Sequence, residues 1–469
     1  MARRPSDLPF GFALFFAALA PRLWVALRWA GEPVWDGHYY DFGARRIAQG
    51  LGYSDDVSIG GQSIWHAWCH YPVGYSAFLG GLYRVFGADL RVAAAADATV
   101  GALLAVITWL LAREALSSGR ARVAGLLVAA HPGLIVYSAL VMSEPLSVLL
   151  TLAGFWLAVR DRGRPVRGVI VGALVLGVAA LVRPQALLCV PFLAFVPRHA
   201  PPALLPLGRG FRLAIAALAC ATALAAVAPW TARNCARMDG CALVSTNAGW
   251  NLAIGAFPRA TGRFETLRAS DGCREVTGQV QQDRCWFHYG VDQIRRHPGH
   301  WLALIPAKLG FTFDHESFAI EYLHEARPSA WPEARRRRGR ELLTMAHRAL
   351  LSIASLGAVA FVTRGRGRRA QALLAIAAIA LVAFAIEADS PTFWPIALFC
   401  SVAPWVALPG APERRPAWLL AVSLLATTLA THAIFFGEDR YHVVVAPILC
   451  MLAAGALRPA GRPVRERSA

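Results

Sequence analysis

The chain has 469 residues, of which 56% are hydrophobic and 16% charged, and its mean hydropathy is +0.45. Soluble domains carry about 25% charged residues, and here the apolar residues gather in blocks near the roughly 20 residues of a bilayer crossing; a soluble enzyme is excluded and an integral membrane protein is predicted. The formal charge of +18 would suggest nucleic acid in a soluble chain, but the arginine clusters lie between apolar blocks, where cytoplasmic loops carry positive charge, so no nucleic-acid partner is expected.

Met1-Ala2-Arg3-Arg4 is basic and precedes an apolar run. Ala18-Leu19-Ala20 is like a cleavage site, but Pro21 follows and the apolar character continues to Ala30. That pattern predicts an uncleaved first span over about 8–30, with a cytoplasmic N-terminus. Arg22 and Arg28 fall in its outer half; Arg28 is expected to snorkel, while Arg22 either snorkels or faces a polar cavity.

Residues 31–72 form a first exterior loop, rich in Gly, Tyr, His and Trp. It opens on Trp35-Asp36-Gly37-His38-Tyr39-Tyr40 and closes on His70-Tyr71-Pro72-Val73-Gly74-Tyr75. The apolar stretch 73–87 is short and glycine-broken, so an interfacial helix is expected, and 31–90 form one loop region. Spans follow at about 91–112 and 121–138. Ser143-Glu144-Pro145 is a helix start, with a cap, an acid and an early proline, and it opens a fourth span that ends at Arg160-Asp161-Arg162. A fifth span covers about 167–182, up to Arg183-Pro184; a sixth returns by Pro197-Arg198-His199, and a seventh covers about 211–230.

Residues 231–340 form a long exterior segment, with a second interfacial helix at Trp301–Pro306. The run Arg335 to Arg338 would lie outside, against the charge rule. The C-terminal part, 341–469, supplies spans near 342–363, 370–388, 391–408, 416–436 and 442–458, with Arg364 to Arg369 and the basic tail marking the inside. The fold class expected is all-α and polytopic: one membrane domain of about twelve transmembrane helices, with two large exterior loops.

Cys235, Cys241, Cys273 and Cys285 share the long exterior segment, so one or two disulfides are expected there, with the pairing open. No cysteine or histidine spacing matches a zinc site. His66 and His70 would share a face if helical; ordinary interfacial hydrogen bonding outweighs metal binding there.

Transfer of a sugar from a lipid phosphate needs few protein groups. Phosphate leaves without a general acid, one carboxylate takes the acceptor's proton, and cationic groups or a metal stabilise the leaving charge. Asp36 is the first candidate base, weighed evenly against a helix cap. Glu144 is the second exterior acid; it could position the acceptor, hold a metal or tune Asp36, although a first-turn helix role accounts for it alone. Arg183, Arg233 and Arg440 each end a span on the outer side. Anchoring explains any one of them; together they could bind phosphate oxygens bidentately. Arg45 lies on the same first loop. Gly437-Glu438-Asp439-Arg440-Tyr441-His442 is the only polar interruption between the last two spans.

These motifs resemble the GT-C membrane glycosyltransferases. Asp36 with Tyr40, Ala44 and Gly50-Leu51-Gly52-Tyr53 is similar to their first-loop signature, and Tyr71-Pro72-Val73-Gly74-Tyr75 to the step that follows it. Ser143-Glu144, Leu181-Val182-Arg183-Pro184, Pro229-Trp230-Thr231-Ala232-Arg233-Asn234, Ser245-Thr246-Asn247-Ala248-Gly249 and Arg440-Tyr441 fall in the family's order. The nearest group is family 39, the protein O-mannosyltransferase and aminoarabinose lipid A transferase superfamily. The resemblance implies inverting transfer from a polyprenyl-phosphate sugar to a lipid, polysaccharide or protein acceptor, on the periplasmic side of a bacterial inner membrane. It implies Asp36 as the catalytic aspartate and Glu144 near the second acidic site. Arg233 and Arg440 would face donor phosphate, with Tyr40, Arg45, His70, Tyr71, Arg183, Asn234, Asn247 and Tyr441 as further substrate contacts. No cofactor is required; a divalent metal could assist. The Tyr-Pro-Val-Gly step lacks the family's double proline, and His70 stands near the place of the aminoarabinose branch's lysine, which argues against an aminoarabinose donor. The rival readings are a flippase for lipid-linked sugars, a glycan ligase of the same fold, and a scaffold. A flippase calls for charges deep within several spans and for similar halves, whereas the charges here collect at outer ends.

Overall fold

The first helix, α1 (Asp7–Trp29), carries Arg22 fully buried rather than snorkelling. Its guanidinium donates to the Val128 and Ala129 carbonyls, both at 2.7 Å, and to Ala18 O at 2.9 Å. Val128 and Ala129 lie in the last turn of α5 (Ser118–Ala130), where carbonyls keep acceptor capacity and the dipole favours a cation. Arg22 is therefore a strut between helices, and its environment is supplied by a helix distant in sequence. The structure, a computed structural model, describes residues 7–197, 208–362, 367–388, 390–406 and 415–457. The expected inside markers at Arg3-Arg4, Arg198-His199 and Arg364 to Arg366, and the basic tail from 458, lie outside the described residues.

The expected all-α polytopic architecture is borne out, with a different span count. Among the described residues, seven helices are long and apolar enough to cross a membrane, or eight if one bent pair counts as a span. The seven are α1, α4 (Leu90–Ala115), α8 (Pro165–Val182), α9 (Arg209–Arg237), α15 (Glu333–Val362, counted to Ala360), α18 (Arg415–Ile434) and the Asp439–Ala456 segment, which ends in α19 (Ala446–Ala456). The bent pair, α5 with Pro132–Ala139, breaks by 51° at His131; Pro132 opens the short helix α6 (Pro132–Val136) and disfavours helical backbone in the residue before it. The expected sixth span is a 3-10 segment, Pro184–Phe195, with Pro184 and Pro191 inside it. The expected fourth is α7 (Glu144–Arg160), of 17 residues. The ninth and tenth fall on α16 (Arg368–Glu387) and α17 (Trp394–Val406), whose apolar parts are shorter than 18 residues.

The first loop is more structured than its composition suggests. Helix α2 (Asp36–Ala48) leads to an antiparallel hairpin, β1 (Ser54–Ile59) and β2 (Gln62–Ala67). Gly60 and Gly61 turn it, both at positive φ, as a two-residue hairpin turn requires. Helix α3 (Val73–Phe86), the expected interfacial helix, packs on α2. Ser76 Oγ donates to Tyr40 O, and Tyr83 Oη donates to Asp41.

Helix α9 runs past the expected end at Trp230, with Pro229 inside it. Its last turns are held from outside: Trp230 Nε1 donates to Val244 O, Thr231 Oγ1 to Leu243 O, and Asn234 Nδ2 to Ala242 O. Two disulfides, Cys235–Cys241 and Cys273–Cys285, resolve the open pairing. Helices α10 (Ala248–Ile254), α11 (Gln279–Arg296), α12 (Pro298–Ala303), α13 (Ile305–Phe313) and α14 (Phe318–Ala326) lead to α15 (Glu333–Val362). The expected interfacial helix at 301–306 is divided between α12 and α13 by Pro306. The arginine run that opens α15 is offset by acids: Arg336 and Arg340 both pair with Glu321 and Glu333.

Candidate active site

Asp36 is the first residue of α2, where a carboxylate suits the helix dipole. The residue before it, Trp35, has φ 51°, in the region that favours glycine. Its ring is fixed against Phe318 and Tyr322 of α14. Gly37 follows because nothing larger fits: a Cβ there would lie 2.2 Å from Tyr322 Oη and 2.8 Å from Val141 O. The start of α2 is thus seated against α14 before any chemistry is considered.

Both Asp36 oxygens are engaged. Tyr71 Oη donates to Oδ1 at 2.8 Å, and Arg440 Nη1 pairs with Oδ2 at 2.5 Å. The Asp36 side chain keeps 22% of its surface exposed, toward the cavity it lines. Burial alone would raise its pKa; Arg440, Tyr71 and Arg183 oppose burial and hold the carboxyl below the usual aspartate range. Arg440 Nε also lies 2.6 Å from Glu438 Oε2. Burial pushes Glu438 up to about 7 despite Arg440.

A second cation sits alongside. Arg183, just past the end of α8, donates to Glu144 Oε1 at 2.9 Å and Ser143 Oγ at 3.2 Å. Tyr40 Oη shares the same Ser143 hydroxyl at 3.1 Å. Arg183 and Arg440 both lie over the Tyr441 ring, with centroid distances of 5.5 and 5.0 Å, and Tyr441 stacks on His432 at 4.1 Å. Tyr40 and Tyr71 are raised by burial and by the Asp36 charge, so both remain phenols. Burial holds His70 low, and it is neutral at pH 7.

These groups open on a cavity of about 560 Å³. It brings together Asp36, Tyr40, His70, Tyr71, Arg183, Asn247, Arg440 and Tyr441 from the expected set. Its apolar wall includes Leu188, Leu243, Phe264 and Phe435. Four expected residues are placed otherwise. Glu144 is fully buried behind Arg183 and does not line the cavity. Arg45 pairs with Asp41 at 2.6 Å and donates to Ala88 O. Arg233 clamps backbone, donating to Tyr53 O at 2.5 Å and Trp68 O at 3.1 Å. Asn234, fully buried, ties the end of α9 to the 242–244 loop. The arginine position read as phosphate-facing is thus used to fasten the first loop, because β2 ends within its reach. His66, expected to make ordinary hydrogen bonds rather than bind metal, lies on β2 and pairs with Asp55 at 2.9 Å. Glu438, His432 and Arg274 are cavity-region residues the sequence did not single out; Glu438 lay in the quoted polar interruption, but nothing local marks it as a partner of Arg440.

Residues 70–232 match the model of a family described as dolichyl-phosphate-mannose-protein mannosyltransferase. The match takes in His70, Tyr71, Glu144 and Arg183 and leaves Asp36 and Arg440 outside its bounds. It bears out, over that stretch, the resemblance to membrane glycosyltransferases carried by the motifs. The class defined by fold and match is therefore a polytopic helical membrane protein resembling the glycosyltransferases of the mannosyltransferase type. Among solved structures, the oligosaccharyltransferase AglB from the archaeon Archaeoglobus fulgidus, with an inhibitory peptide and a dolichol-phosphate, aligns at 12% identity and a TM-score of 0.44, over 95% of this chain and 50% of that one. ArnT from Cupriavidus metallidurans, bound to undecaprenyl phosphate, aligns at 16% identity and a TM-score of 0.38, over 86% of this chain and 78% of that one. The chain thus spans about half the length of the archaeal oligosaccharyltransferase. No curated protein sequence matches it.

Proposed function

We propose that the protein is an inverting glycosyltransferase. It moves a sugar from a polyprenyl-phosphate donor to an envelope acceptor at the periplasmic face of a bacterial inner membrane. The observation that carries this reading is Asp36 held between Tyr71 and Arg440 at a cavity that Arg183 also faces. The matched family is described by a dolichyl-phosphate sugar donor, which is the substrate chemistry this pair of arginines suits. Asp36 takes the proton of the acceptor hydroxyl as its oxygen attacks the anomeric carbon. The bond from that carbon to phosphate breaks, and the lipid phosphate leaves with the electron pair, stabilised by Arg440 and Arg183. One base and no acid give inversion, because attack comes from the face opposite the leaving group. The apolar wall of Leu188, Phe264 and Phe435 suits the first isoprene units.

The test compares envelope lipids, polysaccharides and proteins by mass spectrometry in a deletion strain and in the deletion complemented with wild type or with Asp36→Asn. Loss of one sugar from a defined acceptor, restored by wild type alone, is the expected result. Equal restoration by the Asp36→Asn variant, present at wild-type level in the membrane, would make Asp36 an anchor for Tyr71 and Arg440 rather than a base.

A further inference from the structure

Three side chains far apart in sequence meet behind Arg440. Glu316 precedes α14, His347 lies on α15, and His442 lies two residues past Arg440; the last two are fully buried, and Glu316 is 1% exposed. One ligand atom from each lies within 4.8 Å of the others. The imidazoles overlap face to face, with centroids 3.8 Å apart.

Their hydrogen bonds fix which nitrogens carry protons. His347 Nε2 lies 2.9 Å from Phe313 O, and His442 Nδ1 lies 2.8 Å from Thr312 O. A carbonyl only accepts, so both of those nitrogens are N–H donors. In the neutral rings the opposite atoms, His347 Nδ1 and His442 Nε2, are left with lone pairs. Neither has a hydrogen-bond partner, and neither does either oxygen of Glu316. Buried polar atoms without partners are costly, a carboxylate most of all. A metal-binding histidine whose other nitrogen donates to a backbone carbonyl is the recurrent way a ligand ring is oriented. His442 Nε2 and Glu316 Oε2 stand 3.5 Å apart. That is long for a hydrogen bond, but it is close to the edge of a tetrahedron around zinc, whose bonds to nitrogen and oxygen are about 2.0–2.2 Å. The space for the carboxylate is kept by Gly133, where a Cβ would lie 1.8 Å from Glu316 Oε1. His131 stays outside the set, because its Nδ1 accepts from Leu134 N.

We propose that Glu316, His347 and His442 bind a divalent cation of the zinc class, a choice set by two imidazoles and one carboxylate. The site is a positioning centre. Asp439 Oδ2 accepts from Ser317 N and from Phe318 N, the latter at 2.7 Å, so the segment that carries Arg440 is already tied to the residues after Glu316. A metal would add a third tie, to α15, and hold Arg440 over Phe318 and against Asp36.

The test uses the full-length protein, purified in detergent, stripped with a chelator and titrated with Zn2+ or Co2+. Wild type is expected to bind one equivalent, to show the visible absorption of low-coordinate Co2+, and to melt at a higher temperature with Zn2+ present. Glu316→Gln and His347→Gln are expected to lose at least about tenfold in affinity, while Asp36→Asn binds like wild type, which separates this centre from the base proposed above. A folded wild type that takes up neither metal would overturn the proposal. Wild-type affinity in Glu316→Gln would overturn it as well.

Discussion

The hydroxyl of Tyr71 gives the cleanest probe of the Asp36 site. Tyr71→Phe deletes one oxygen that sits 2.8 Å from Asp36 Oδ1. The ring itself is kept in place by Tyr39 and Tyr40, with centroids 5.4 Å away in each case, so the fold should survive. A hydrogen bond to an ionised group contributes about 1.5–3 kcal/mol. With 22% of the Asp36 side chain exposed, water replaces part of that bond, and the low end applies. About 1.4 kcal/mol is tenfold in an acid dissociation constant. The sign follows from the forces on Asp36: burial raises its pKa, and Arg440 with Tyr71 brings it below the ordinary range. The base works ionised, so transfer falls as pH drops through the folded value. Removing Tyr71's bond raises that value and moves the acid limb of the rate profile toward neutral by about one pH unit. Read as kcat/KM, which reports the donor-free enzyme, the profile keeps Arg440 beside Asp36, so the plateau near neutral changes little. The assay is the initial rate of transfer against pH in reconstituted vesicles. An unmoved acid limb in Tyr71→Phe, with Asp36→Asn inactive, would show that the limb reports another group.

Gly37→Ala should lower both melting temperature and transfer, because its methyl meets Tyr322 Oη at 2.2 Å; the overpacking cost is about 1–3 kcal/mol, and adding Tyr322→Phe should recover part of both, as read by thermal melts of the double variant. Glu144→Ala leaves Arg183 facing a buried gap and should cost about 3–5 kcal/mol in stability, whereas Glu144→Gln should keep the fold and weaken donor affinity, measured as a raised KM. Arg45→Gln should leave transfer unchanged and cost about 1 kcal/mol, because Arg45 is the exposed partner of an i,i+4 pair, lies outside the cavity lining, and leaves buried Asp41 its Tyr83 hydrogen bond; a rate loss above tenfold would restore Arg45 to the substrate set.

The sequence exposed those parts of the site that lie at the ends of apolar blocks. Asp36 stands out because an acid directly follows a span, Arg183-Pro184 because a charge ends one, and Arg440-Tyr441 because little else interrupts the last two. Such positions carry their meaning locally. Arg233 has the same local setting as Arg183 and is spent on two loop carbonyls; only the path of β2 decides that. The hairpin was legible in Gly60-Gly61 between alternating residues, a signal masked by the polar, aromatic composition of the loop. Arg22 could not be placed, because its partners are the terminal carbonyls of α5. Nor could Glu316, His347 and His442, whose spacings match no metal motif and whose meeting depends on how α15 packs beside the last span. Prolines at 132, 184 and 191 turn two apolar stretches read as whole crossings into a bent pair and a 3-10 segment, while α7, α16 and α17 fall short in apolar length among the described residues.

Arg440 is shared in the resting structure between Asp36 and Glu438. That sharing bears on the order of events under the proposed chemistry. A carboxylate whose two oxygens hold Tyr71 and Arg440 is a poor proton acceptor until one is released. Tyr71 is neutral and contributes a hydrogen bond, whereas Arg440 is the group that a phosphate can draw away. Bidentate pairing with phosphate oxygens competes directly with the Asp36 contact. Glu438, which burial pushes up to about 7, gives Arg440 a second contact. Under the proposed chemistry donor binding and base activation would be one event: Arg440 would leave Asp36 Oδ2 for the phosphate, the aspartate would lose its strongest counter-charge, and its affinity for the acceptor proton would rise only with a sugar in place. An empty site keeps Asp36 neutralised, which disfavours proton abstraction from water in the absence of a donor.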